Sequence, residues 1–196
     1  MYPSPYCTIG PFFPGDFVTG CEDLTSFQGK QAQGQHIVLT GRVFEEENRP
    51  ILNAIIEIWQ PDANGVFRHP LDPRFHQADP GFFGWGRART DADGLYAFRT
   101  VLPGASHGYG QHEPRCPHLN LMILAIGLTR RLITTVFFAE TPASMRDPVL
   151  DCVADPQIRA RMLARRENNS NGSGNIPVYR YNIVTRGEGE TPFFVD

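Results

Sequence analysis

Seventeen prolines and nineteen glycines cut this chain into short apolar runs with little sustained helical periodicity. Proline fixes φ and removes a backbone donor, and glycine favours turns, so the segments between them are short and extended. Many short strands joined by Gly- and Pro-rich connections point to an all-β sandwich or barrel. With 196 residues, 41% of them hydrophobic, the chain has enough apolar surface for one core. The expected organisation is an N-terminal arm and irregular lead-in over residues 1–35, then a single β-sandwich domain over 36–196.

Charge and hydropathy exclude several functions. A formal net charge of −3 without a clustered basic face argues against nucleic acid as a partner. The longest apolar run, 121–128, is too short to span a bilayer. The N-terminus Met-Tyr-Pro-Ser-Pro-Tyr-Cys has neither a basic nor an apolar signal region, so a cytoplasmic location is expected. Cys7, Cys21, Cys116 and Cys152 form no metal-type spacing and read as free thiols of a reducing compartment.

The most informative stretch runs from Arg115 to Ala125. Its apolar, β-branched run after Pro117 predicts a strand on which His118 and Asn120 share a face. A His-x-His pair on a strand aims two imidazoles at one metal, but here the second position is an amide, a weak neutral donor. Strands are also expected at 36–44 and 54–59, joined as a hairpin by the charged turn 45–50, with Ala54, Ile56 and Ile58 on one face and Ile55, Glu57 and Trp59 on the other. Further strands are expected at 95–102, 131–138 and 177–185. Asp155-Pro156 caps a short helix through residue 166.

Asn64-Gly65 marks a turn. The Pro-rich loop 66–83 is long enough to read as an interface or lid, and a second loop covers 103–112. Residues 168–175 form an Asn/Ser/Gly surface loop. Asp91 and Asp93 are turn residues, since no calcium-loop pattern is completed. Thr8 to Gly15 form a stiff arm. Its Phe12 and Phe13 either plug the edge of this chain's own core or reach a neighbouring subunit, with Gly10 allowing close approach.

Taken in order, Leu39-Thr40-Gly41-Arg42-Val43, Glu57-Ile58-Trp59-Gln60-Pro61-Asp62-Ala63-Asn64-Gly65, Gly84-Trp85-Gly86-Arg87, Phe98-Arg99-Thr100-Val101-Leu102-Pro103-Gly104 and the Pro117-His118 strand resemble the intradiol ring-cleavage dioxygenases. The arm Thr8-Ile9-Gly10-Pro11-Phe12 and the ending Gly187-Glu188-Gly189-Glu190-Thr191-Pro192-Phe193-Phe194 are similar to the alpha subunit of heteromeric members that cleave protocatechuate. The resemblance implies an intradiol-dioxygenase-like β-sandwich with long loops and a short helix near 156–166. It also implies that a catalytic chain holds ferric iron with two tyrosinates and two histidines, at the positions occupied here by Phe67, Ser106, His118 and Asn120.

A ferric ion is stabilised by anionic oxygens, and tyrosine, whose ordinary pKa is about 10, supplies one once the metal lowers that value. Phe67 has no oxygen, Ser106 is far less acidic, and recruiting Tyr109 would still leave half a site. The resemblance therefore implies a chain that binds no iron itself and pairs with a beta subunit carrying Fe3+. Alpha-beta units would build a higher hetero-oligomer, and protocatechuate or a related catechol would be opened by O2 to 3-carboxy-cis,cis-muconate. In that assembly Thr8, Ile9, Gly10 and Pro11 wall the partner's substrate pocket, and backbone N–H groups of a Gly-containing arm can donate to an anion. Ile126 stands where alpha subunits of the family often carry Arg. Arg115 aligns with an Arg near the catalytic chain's iron and reads here as structural. The alternative is a stand-alone, catalytically inactive dioxygenase-like protein with a binding or structural role.

Overall fold

The computed structural model describes residues 13–107, 114–138, 147–167 and 176–194. The lead-in is more ordered than its composition implies. A 3-10 turn over Gly15–Val18 precedes a ladder of β1 (Ser26–Phe27) and β2 (Lys30–Gln31). Leu24 and Ala32, either side of that ladder, are buried in the main core.

β3 (His36–Glu45) alternates as its sequence requires, with Ile37, Leu39 and Val43 buried and Arg42 in solvent. The short β4 (Arg49–Pro50) folds back on its end. The chain then leaves this layer, because β5 (Ile55–Trp59) pairs with β6 (Trp85–Arg89) and not with β3. The expected hairpin is therefore wrong. One edge of β3 is taken by β7 (Leu95–Val101), antiparallel over seven residue pairs, and the other by strands from the C-terminal region. A strand has only two edges, so β5 is displaced to the second layer.

Beyond the small ladder of β8 (Ser106–His107) and β9 (Pro114–Arg115), β10 (His118–Leu124) lies between β5 and β11 (Leu132–Phe138), antiparallel to both. Two five-residue helices follow, α1 (Pro148–Cys152) and α2 (Pro156–Ala160). The Asp155 carboxylate caps α2 at Gln157 N–H as expected, but the helix stops at Ala160 instead of continuing to 166. Residues Leu163–Arg166 are β12, parallel to β11. The Met162 carbonyl accepts Phe137 N–H, and Met162 and Ala164 are fully buried. A longer helix would leave that edge of β11 unpaired.

The C-terminal strand divides into β13 (Val178–Arg180) and β14 (Ile183–Val184), both parallel to β3. Between them the Asn182 amide oxygen accepts Arg42 N–H. Hydrogen bonding runs unbroken from β6 through β5, β10, β11, β12 and β13 to β3. This curled sheet closes on a single core in which Ile37, Leu39 and Phe98 of one side belong to the same cluster as Ile56, Ile58, Leu119, Leu121 and Ile123 of the other. At about 1.5–3 kcal/mol for each large buried apolar side chain, that cluster is the main source of stability. No helix among the described residues is long and apolar enough to cross a membrane.

Candidate functional site

The outer face of β5, β10 and β11 carries the residues singled out above. Core-facing Leu119, Leu121 and Ile123 alternate with His118, Asn120 and Met122, so His118 and Asn120 do share a face. Asn120 stands opposite Trp59 on one neighbour and Thr135 on the other, and His118 stands opposite Phe137.

Asp62, only 2% exposed, positions the loops at the end of this face. Its Oδ1 accepts the N–H groups of Asn64 and Val66, and its Oδ2 accepts that of Asp79. Its backbone carbonyl accepts Gly65 N–H and Gly104 N–H, both at 3.0 Å. Gly65 has φ +75°, and a Cβ there would collide with the Ala105 carbonyl. The close approach of residues 104–106 to the 62–65 turn therefore needs glycine. The positive φ lies at Gly65 and not at Asn64, so Asn64-Gly65 is not a hairpin turn with both residues left-handed.

Of the four residues that the resemblance sets at ligand positions, Phe67 lacks a donor atom, Asn120 is engaged elsewhere, and His118 and Ser106 are buried. The Phe67 ring stacks on Trp59, with centroids 5.8 Å apart. Asn120 Oδ1 accepts the Thr135 hydroxyl at 3.0 Å. His118 Nδ1 donates to the Cys116 carbonyl at 2.6 Å, which fixes the tautomer and leaves Nε2 as the ring's lone-pair nitrogen. Ser106 is fully buried, and its Oγ has no hydrogen-bond partner among the described residues. Opposite Ser106 in the β8–β9 ladder stands Arg115, whose buried Nη2 also has no partner among the described residues.

Arg115 is held by its other atoms. Its Nε donates to Asp147 Oδ2 at 2.8 Å, and its guanidinium lies 6.0 Å from the Phe137 ring. The same Asp147 oxygen accepts Cys116 N–H, while Oδ1 caps α1 at Val149 N–H. Asp147 is completely buried. One carboxylate thus joins the start of the β10 segment to α1. Burial, reinforced by the Arg115 charge, lowers the His118 imidazole to about 4, so it is neutral at physiological pH. Burial also pushes the Cys116 thiol up, which keeps it protonated and unreactive.

This donor set does not fit ferric iron. It offers one imidazole nitrogen, one amide oxygen already bonded to Thr135, one aliphatic hydroxyl and a benzene ring, with no phenolate among them. Among the described residues no group of three His, Cys, Asp or Glu side chains is arranged to hold a metal.

Beside Phe67 a surface cavity of about 220 Å³ is lined by Trp59, Phe67, His69, Leu71, Asp72, Pro73 and His107. The length of the loop over residues 66–83 signalled that something is built there, but no motif marked Asp62, Asp72 or Asp79 as the carboxylates that shape it. Asp147 was equally silent in the sequence, although Asp147-Pro148 has the same cap-and-proline form as Asp155-Pro156. Thr8, Ile9, Gly10, Pro11, Phe12, Cys7, Tyr109 and the loop at 168–175 lie outside the described residues. Phe13 stacks on Phe17, Ile126 is 40% exposed, and Cys21, Cys116 and Cys152 are free thiols.

Residues 9–187 match the family model described as Dioxygenase. The protocatechuate 3,4-dioxygenase beta chain of Burkholderia cepacia is 34% identical over 174 residues, covering 87% of this chain and 73% of that one. The alpha chain of the same enzyme from Burkholderia cepacia is 30% identical over 201 residues, covering 97% and 96%. The crystal structure of 3-chlorocatechol 1,2-dioxygenase from Rhodococcus opacus 1CP superposes with a TM-score of 0.61 at 20% identity, over 90% of this chain and 70% of that one.

Proposed function

The chain belongs to the dioxygenase family whose members include the intradiol ring-cleaving enzymes, and from that premise we propose that it is the alpha subunit of a protocatechuate 3,4-dioxygenase. It binds no iron and completes the substrate pocket of a ferric beta subunit. The observation that carries this reading is the donor set: Phe67, Ser106, His118 and Asn120 supply one imidazole and no phenolate. The higher identity to a beta chain does not weigh against it, because identity spread over a common fold says nothing about the four positions that would hold the metal. The near end-to-end match to an alpha chain supports the same assignment.

In this reading a ferric ion held by the beta subunit would supply the activation of the catecholate toward O2 that opens protocatechuate between its hydroxylated carbons to 3-carboxy-cis,cis-muconate. This chain contributes Thr8, Ile9, Gly10 and Pro11 as a wall that excludes water and offers backbone N–H groups to the substrate carboxylate. The segment leading to that wall is anchored on β6. Arg89 Nη2 donates to the Pro14 carbonyl at 2.7 Å, and Arg87 donates to the Phe17 carbonyl at 3.1 Å while lying over the Phe17 ring. The free thiols accord with a cytoplasmic assembly.

The test is to purify this chain alone and with a co-expressed beta chain, measuring iron, the tyrosinate absorption band and protocatechuate cleavage in each. Iron, colour and activity are expected only in the complex. Near-stoichiometric iron with a tyrosinate band and turnover in the isolated chain would overturn the assignment.

A further inference from the structure

We propose that the fork between β12 and β13 is a binding site for a small polyanion, one carrying two or three carboxylate or phosphate groups. It shares no lining residue with the cavity beside Phe67. Its charges are this chain's own, so it does not depend on the subunit assignment above.

Strand pairing makes the fork. β12 and β13 are antiparallel only where Arg165 stands opposite Arg180 and Arg166 opposite Tyr179. Beyond Arg180 the chain runs beside β3, where Tyr181 N–H donates to the Thr40 carbonyl and β14 pairs with Val43 and Phe44. On the other arm, Leu163 and Ala164 pair with β11 instead. The two chains therefore part, and a cavity of about 330 Å³ opens between them. Thr191 closes the far wall by gripping Val184: its N–H donates to the Val184 carbonyl at 2.9 Å, and its Oγ1 accepts Val184 N–H at 3.0 Å. The volume lies at the small end of the roughly 300–1,000 Å³ of small-molecule pockets.

Side-chain alternation sets the charge. Tyr179, Tyr181 and Ala164 are buried in the core, so Arg180, Asn182, Leu163 and Arg165 share the opposite face. Arg165 and Arg180 are direct cross-strand neighbours, and like charges so placed are destabilising. Arg161, just after α2, adds a third guanidinium to the lining. Of these three, Arg180 alone has an ion pair among the described residues, to Glu167. Arg161 donates to the Glu190 carbonyl at 3.3 Å, a neutral acceptor, and Arg165 has neither a hydrogen bond nor an ion pair among the described residues. None of the described lining residues is acidic, although the whole chain has a formal net charge of −3.

Asn182 Oδ1 accepts Arg42 N–H, which leaves Nδ2 as a further donor. Ala160, Leu163 and Val184 supply apolar wall for a short carbon skeleton. A guanidinium takes a carboxylate or phosphate through two parallel hydrogen bonds. An anion bridging Arg165 and Arg180 would turn their repulsion into two attractions, and a second charged group would reach Arg161. A monoanion cannot satisfy all three.

The experiment titrates the full-length chain with citrate and with pyrophosphate in HEPES at fixed ionic strength, with acetate as the monoanionic control, reading calorimetry and thermal shift. Saturable one-site binding is expected for at least one of the two, at least about tenfold tighter than acetate; which one binds separates carboxylate from phosphate chemistry. Arg165→Gln and Arg180→Gln are each expected to weaken it about tenfold, the scale of one charge-assisted hydrogen bond. Arg49→Gln, at a surface arginine outside the cavity, should leave it unchanged. Without ligand, Arg165→Gln should melt no lower than the parent, because it removes a repulsion, so a lost site is distinguished from a lost fold. A non-saturating response, acetate binding as tightly, unchanged affinity in both cavity variants, or equal weakening by Arg49→Gln would overturn the proposal. Each of those results leaves the subunit assignment intact, since that rests on iron and turnover.

Discussion

Acidification should unfold this protein through His118, and the size of the effect follows from its surroundings. The imidazole is 2% exposed and is held near 4, first by burial and then by the positive charge of Arg115. In the unfolded chain it returns to its ordinary value of about 6.5. Between those values the unfolded state binds the proton and the folded state does not. The contribution is therefore complete above about pH 6.5 and is lost as the pH falls toward 4. At about 1.4 kcal/mol per tenfold change in proton affinity, the loss is about 3 kcal/mol, a large share of the 5–15 kcal/mol typical of a domain.

The assay is urea unfolding followed by tryptophan fluorescence at pH 7.5, 6.5, 5.5 and 4.5, on the parent chain and on His118→Gln. The variant has no titrating group at this position, while the five other histidines of the sequence contribute equally to both proteins. The parent should lose about 2–3 kcal/mol more than the variant between pH 7.5 and 4.5. Parallel curves for the two proteins would show that burial does not hold the imidazole neutral and would refute the reasoning.

Three further substitutions probe the supports of the site. Asp147→Asn should cost about 3–5 kcal/mol in chemical denaturation, since it strands the buried Arg115 charge; a loss below about 1 kcal/mol would mean that Arg115 finds water instead. Asp62→Ala should cost a similar amount by removing the acceptor for three backbone N–H groups. Limited proteolysis should then cut first within residues 66–83, and an unchanged cleavage pattern would deny Asp62 its organising role. Glu57→Gln removes the charge that pairs with Arg87 and should release the 13–18 segment for about 1–2 kcal/mol. Amide exchange confined elsewhere would count against that anchor.

The local chemistry of this chain was legible without coordinates. Strand periodicity placed His118 and Asn120 on one face, because side-chain alternation is fixed by the backbone alone. Residue identity removed the phenolates, because Phe67 has no oxygen in any fold. The order of short motifs pointed to the family, and Asp155-Pro156 marked where α2 begins.

What the sequence left open depended on edges and distant partners. Nothing local says that both edges of β3 are already taken, so 54–59 read as the second half of a hairpin when it belongs to the opposite layer. Ile158, Met162 and Arg166 stand at helical spacing, yet the open edge of β11 draws residues 163–166 into a strand. The cavity beside Phe67 exists because Asp62 gathers N–H groups up to seventeen residues away and a glycine lets residues 104–106 close in. Such long-range pairings leave no periodic trace in a single chain, so only the tertiary structure could decide them.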